Sequence, residues 1–150
     1  MDQTNRPARI LVVDDDRDTA AILVRYLQGE GFDPIEANSG DECLRLVREK
    51  EVDVILLDLM MPDMDGFQIC KLLKENPATA EIPVILITAR DDIESRAESM
   101  SLGVGDFLAK PISRRQLVAS IRAQLEVVAT ERNTTATLSR IEGGRGNSKA

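Results

Sequence analysis

The stretch "VILLDLMMPDMDG", Val54 to Gly66, decides how this chain is organised. Four aliphatic residues lead straight to one acid, Asp58, and the chain then breaks into Met, Pro and Gly. An unbroken apolar run bounded by turn residues is the pattern of a strand covered on both faces, as in a parallel sheet. Working outward, the same design recurs. "RILVV" stands before Asp14 and "IPVILI" before Thr88, while "FDPIEA" and "DFLA" (before Lys110) complete five apolar runs.

Helical periodicity fills the intervals. Ala20, Leu23, Val24 and Leu27 fall at i, i+3, i+4 and i+7, and "GEG" closes that segment. The second helix opens on Ser39 and Glu42, spaced as a capping box, with Cys43, Leu44 and Val47 on its inner face. A third runs from about Asp65 to Asn76, where Pro77 stops it. The fourth spans roughly Ile93 to Leu102, before Gly103. The fifth starts at another capping box, Ser113 to Gln116, and presents Leu117, Val118, Ile121 and Leu125. Five alternations of strand and helix predict an α/β doubly wound sandwich with right-handed crossovers. After about Val128 the periodicity fades, so residues 1–128 read as the domain and 129–150 as a disordered polar tail or truncated linker. The alternative is a last helix that runs on toward Leu138 and Ile141 as a coiled coil, against mostly polar heptad positions between them.

Bulk properties narrow the function. With 150 residues, 43% of them hydrophobic, the chain can bury a core as one domain. Its net charge of −7 argues against direct nucleic-acid binding, and residues 1–125 alone hold 15 basic and 23 acidic residues. Cys43 and Cys70 are too few and too unpatterned for a disulfide framework or a zinc site, and read as reduced core thiols. There is no His at all, which removes histidine base catalysis and phosphohistidine from this chain's own chemistry. The polar start "MDQTNRP" and the lack of a long apolar run predict no membrane segment and a cytoplasmic location.

In an open α/β sheet, ligands bind beyond the carboxyl ends of the strands. Asp14, Asp15 and Asp16 follow the first run, Asp58 the third, Thr88 the fourth and Lys110 the fifth. Taken singly, each has an ordinary explanation: an Asp after a strand caps the next helix, as Asp16 is expected to do, and a Thr or Lys there is merely solvated. Four such groups at one sheet edge are harder to dismiss. Clustered carboxylates repel and raise one another's pKa unless a positive charge neutralises them, and Mg2+ suits a site with one or two carboxylates plus other oxygens. A carboxylate nucleophile, a metal and two donors for equatorial oxygens are the parts of a phosphoryl-transfer site.

Together, "ILVVDDD", "VILLDLMMPDMDG", "ILITA" and "GDFLAKP", in this order and spacing, resemble the receiver domains of two-component response regulators, over about Arg9 to Leu125. The resemblance implies a flavodoxin-like (βα)5 fold with a five-stranded parallel sheet in the order 2-1-3-4-5. It implies that Asp58 is the phosphoacceptor, that Asp14, Asp15, Asp58 and the backbone carbonyl of Met60 hold Mg2+, and that Thr88 and Lys110 contact the phosphoryl oxygens. It further implies a cis Lys110–Pro111 bond and a switch in which Phe107 rotates inward as Thr88 moves. Many members carry Tyr there, so an output needing a phenol hydroxyl is not expected here. The implied donor is a phosphohistidine on a separate histidine kinase or phosphotransfer protein, docking near the start of the first helix, where Ile22 and Tyr26 lie off the core stripe. The implied output is a protein contact on the surface from Ile93 to Leu125, to a downstream target or a fused output domain, with homodimerisation left open. Such a chain is a signalling switch rather than an enzyme acting on external substrates.

A haloacid-dehalogenase-like phosphatase also uses an Asp nucleophile, but needs a second Asp two residues on; that position is Met60, which cannot transfer a proton. A two-carboxylate glycosidase lacks aromatic platforms here, with only Tyr26, Phe32, Phe67 and Phe107 present. The chain also reads as the N-terminal receiver of a longer regulator.

Overall fold

The computed structural model describes residues 6–63, 65–89 and 93–145, with side chains left aside at Ile93 and at 130–145. Five strands alternate with five helices: β1 (Arg9–Val13), α1 (Arg17–Gly29), β2 (Asp33–Ala37), α2 (Gly40–Glu49), β3 (Val54–Asp58), α3 (Gly66–Glu75), β4 (Val84–Thr88), α4 (Ile93–Ser101), β5 (Asp106–Ala109) and α5 (Arg114–Arg145). The strands form one parallel sheet in the order β2-β1-β3-β4-β5, the expected doubly wound arrangement.

Alternate strand residues face opposite layers. Leu11, Val13, Ile55, Leu57, Leu86 and Phe107 pack with Cys43, Leu46, Ile69, Cys70 and Leu73 from α2 and α3. Ile10, Val12, Leu56, Ile85, Ile87 and Leu108 pack with Ala20, Leu23, Leu27, Leu117 and Ile121 from α1 and α5. Every residue of β3 and β4 is buried, which is why their sequences are continuous rather than alternating. Each fully buried Ile or Leu contributes on the order of 1.5–3 kcal/mol through removal from water, so the central strands are held firmly at both faces. Within α2 the periodicity is offset from expectation: Leu46 is buried alongside Cys43, while Leu44 and Val47 are only partly covered.

Helix starts follow the expected caps at Asp16, Ser39 and Ser113, and Asp65, expected as the start of the third helix, is its cap. Asp16 accepts from the Asp18 and Thr19 N–H groups, and Asp65 from those of Phe67 and Gln68. The Ser39 hydroxyl accepts from Glu42 N–H at 3.1 Å, but the Glu42 carboxylate reaches back one residue further than a capping box would, to the Asn38 N–H at 2.8 Å. At α5, Ser113 and Gln116 bond reciprocally at 3.0 and 3.5 Å.

The backbone of α5 continues to Arg145, beyond Val128 where the core periodicity fades. Helix propagation needs only one backbone hydrogen bond per added residue, so it can outrun the apolar stripe that anchors its start. Residues 146–150, the end of the expected tail, lie outside the described residues, as do residues 1–5 at the polar start. No helix among the described residues is long and apolar enough to cross a membrane. Both cysteines are free and buried; burial pushes the Cys43 thiol up to about 12 and raises that of Cys70 against the opposing charge of Lys74.

Candidate functional site

The carboxyl ends of β1, β3, β4 and β5 adjoin one another because those strands are neighbours in the sheet. Val13 is opposite Leu57, Asp58 opposite Ile87, and Thr88 opposite Ala109, so Asp14 emerges beside Asp58 and Lys110 beside Thr88. Asp14 is 1% and Asp58 6% exposed, whereas Asp15 is open to solvent. One carboxylate oxygen from each of these three acids lies within 4.8 Å of the others.

Lys110 closes the cluster from the far side. Its ammonium Nζ stands 3.2 Å from Asp14 Oδ2 and 3.5 Å from Asp58 Oδ2. The other oxygen of Asp58 accepts the Met60 N–H at 3.2 Å, and Asp14 Oδ1 accepts the Asp16 N–H at 2.9 Å. Thr88 is fully buried at the end of β4, and its carbonyl accepts from the Lys110 N–H at 2.8 Å. The Lys110–Pro111 bond is cis.

These contacts set the electrostatics. Asp58 is pushed up to about 6, first by burial and then by the charge of Asp14, with Lys110 and the Met60 N–H working against the rise. The expected repulsion between the acids contributes to the rise but is secondary to desolvation. Burial alone would lower the Lys110 ammonium, but Asp58 and Asp14 outweigh it and hold its pKa above the ordinary value. A single ammonium serves two buried carboxylates, with a third acid at the rim. That donor set, all hard oxygen and two charges short of neutrality with Lys110 counted, fits a small divalent cation.

Phe107 is 8% exposed and lies within the α2/α3 layer, with the Arg96 guanidinium 4.8 Å from its ring centroid. A ring without a hydroxyl has nothing to keep wet, and a cation over its face adds to burial. Ile22 is 46% exposed, while Tyr26 packs partly against the α1/α5 core.

Three further residues belong to the site's frame and carried no clear signal in sequence. Gly66 gives its N–H to the Leu59 carbonyl at 2.8 Å, and a Cβ there would stand 2.7 Å from Leu59 Cα and 2.9 Å from the Asp58 carbonyl oxygen. Asn38 and Asp63, in loops on either side of the acids, read alone as turn formers. What makes them notable is their partners: the Asp14 carbonyl oxygen for Asn38 and the Gly40 N–H for Asp63.

Comparison with known proteins agrees with this geometry. The response regulator receiver domain profile matches residues 10–122. The chain is 40% identical over 117 residues to the DNA-binding response regulator MtrA of Mycobacterium tuberculosis, covering 78% of this chain and 50% of MtrA. It is 40% identical over 125 residues to the transcriptional regulatory protein ResD of Bacillus subtilis (83% of this chain, 50% of ResD). It is 43% identical over 116 residues to the response regulator PleD of Caulobacter vibrioides (77% and 26%). The chain therefore spans half or less of these curated relatives. Among solved structures, a putative response regulator from Chloroflexus aurantiacus aligns with a TM-score of 0.77 at 32% identity, covering 81% of this chain and 99% of that one. The chemotaxis protein CheY4 of Vibrio cholerae aligns at 0.76 and 27% identity, covering 79% and 99%. With the profile spanning most of the sheet and all four strand-end motifs, this chain belongs to the response regulator receiver domain family.

Proposed function

We propose that this receiver accepts a phosphoryl group on Asp58 from a phosphohistidine of a separate histidine kinase or phosphotransfer protein. The observation that carries the reading is the buried Asp58 carboxylate with Lys110 Nζ at 3.5 Å and the oxygens of Asp14 and Asp15 within 4.8 Å. An Asp58 oxygen attacks phosphorus, the P–N bond breaks, and its electron pair returns to the donor imidazole, leaving an acyl phosphate. Asp14, Asp15, Asp58 and the Met60 carbonyl would hold Mg2+, which supplies charge neutralisation for the phosphoryl oxygens when bound. Lys110 is already drawn toward Asp58 and can pair with an incoming oxygen; Thr88 offers a hydroxyl from the adjacent strand end. The burial that lifts Asp58 to about 6 also keeps bulk water from the nucleophile.

The acyl phosphate is read out by protein contact. Thr88 and Phe107 are the switch pair in this reading, biasing the surface made by α4, β5 and α5 toward a downstream target, a fused output domain or a second copy. The chain catalyses only its own phosphorylation and dephosphorylation, and works in the cytoplasm. Residues 1–128 form the receiver unit, and residues 129–150 a tail or linker. The coverage of half or less of MtrA, ResD and PleD favours the linker reading, in which an output domain follows in the full-length regulator.

The test is incubation with a small acyl phosphate and Mg2+, followed by intact-mass measurement. A gain of one phosphoryl group is expected for the wild type and not for Asp58→Asn. A gain that persists in the variant would sink the assignment.

A further inference from the structure

Metal and nucleophile ligands here come from two loops, β1–α1 with Asp14 and Asp15, and β3–α3 with Met60 following Asp58. Between the strands that carry them and the solvent edge lies a third loop, β2–α2, which supplies no phosphoryl or metal group. That loop grips both of the others. On one side the Asp14 N–H donates to the Ala37 carbonyl at 3.1 Å, and the Asn38 side-chain amide donates to the Asp14 carbonyl oxygen at 3.2 Å. On the other side the Gly40 N–H, at the start of α2, donates to Asp63 Oδ2 at 3.0 Å.

The Asn38 bond fixes the peptide between Asp14 and Asp15. Asp15 is exposed, so no packing aims its carboxylate, and the orientation of the peptide before it decides where that carboxylate points. Asn38 is itself held: its N–H is taken by Glu42 at 2.8 Å and its amide also donates to Glu36 at 3.2 Å. The Asp63 bond ties the exposed stretch after Met61 to the start of α2. Asp63 is a charged acceptor at a helix N-terminus, where N–H groups lack helical partners and the helix dipole favours an anion.

We propose that Asn38 and Asp63 are positioning residues that set the Mg2+ affinity of the acid cluster by clamping both ligand loops to the start of α2. This rests on the reading of Asp14, Asp15, Asp58 and the Met60 carbonyl as the metal site. A mobile Asp15 or Met60 must be ordered when the cation binds, and that ordering cost weakens affinity; the clamp removes it beforehand. Outer-shell partners of metal ligands cost about 10–100-fold in affinity when lost, and for bonds one step further out the low end applies.

The experiment is calorimetric titration of Mg2+ into the wild type, Asn38→Ala, Asp63→Ala, Asp63→Asn and Asp58→Asn, with amide exchange at Gly40 followed by NMR and the fold checked by thermal melting in chelator. The two alanine variants should bind Mg2+ roughly tenfold more weakly with melting changed little, since both side chains are at least partly exposed. Asp63→Asn keeps an acceptor oxygen and should restore most of the affinity. Gly40 should exchange faster in Asp63→Ala and not in Asp63→Asn. Unchanged Mg2+ affinity in both alanine variants, with a wild type that does bind, overturns the clamp alone. Weakened affinity with equal loss in Asp63→Asn overturns the hydrogen-bond basis. A wild type that takes up no Mg2+, or an Asp58→Asn variant that binds equally well, overturns the metal reading and the clamp with it.

Discussion

Removing the Asp58 charge should make the metal-free protein more stable. Asp58 is buried, shares one ammonium with Asp14, and is lifted from its ordinary 3.8 to about 6, first by burial. A folded-state pKa above the unfolded value means that the ionised form costs stability. Between about pH 4 and 6 the folded chain keeps a proton that the unfolded chain has released, so stability falls as pH rises through that window and levels off above it. With each tenfold in proton affinity worth about 1.4 kcal/mol, the cost at neutral pH has a ceiling of about 3 kcal/mol. Asn at this position still buries a polar group and loses the attraction of Lys110, so a net gain of about 1–2 kcal/mol is expected for Asp58→Asn. In a domain of this size that raises the melting midpoint by about 3–6 °C. The assay is thermal and urea unfolding of both proteins in chelator, at about pH 7.5 and again near pH 4, where the protonated wild type should match the variant. Indistinguishable stabilities at both pH values would refute the idea that Asp58 is held ionised at a cost.

Two further perturbations probe the same frame. Lys110→Ala leaves Asp14 and Asp58 without their shared cation, and should destabilise by about 1–2 kcal/mol near neutral pH and less near pH 4, as read by urea unfolding; the ammonium is not fully buried, so the cost falls below that of a wholly buried pair. Gly66→Ala places a methyl 2.7 Å from Leu59 Cα and 2.9 Å from the Asp58 carbonyl, both backbone atoms that cannot swing away. A loss of about 2–3 kcal/mol in urea unfolding, with slower phosphoryl uptake as Asp58 is displaced, is expected; full stability would mean the loop adjusts freely.

Much of the fold was legible because period and burial coincide. "VILLD" and "VILIT" are continuous because both of their faces are covered, and Asp16, Ser39, Asp65 and Ser113 stand where orphan N–H groups need oxygen acceptors. Asp14, Asp58, Thr88 and Lys110 were legible for the same reason, since each ends a strand or directly follows one and parallel strands end at one edge. The reach of α5 to Arg145 was legible only as the alternative to a disordered tail, because a helix's start is marked by its cap and packing stripe while its continuation needs only tolerable propensity.

What the sequence by itself determined is the order of elements and the set of reactive groups at one sheet edge. The tertiary structure alone decided how those groups feel one another. Burial, more than mutual repulsion, lifts Asp58; Lys110 divides its charge between two acids 52 and 96 residues away. Gly66 must be bare because a backbone passes beneath it, and Asn38 and Asp63 matter through partners in other loops. Distances across a fold depend on strand order and register, and no local pattern of residues encodes them.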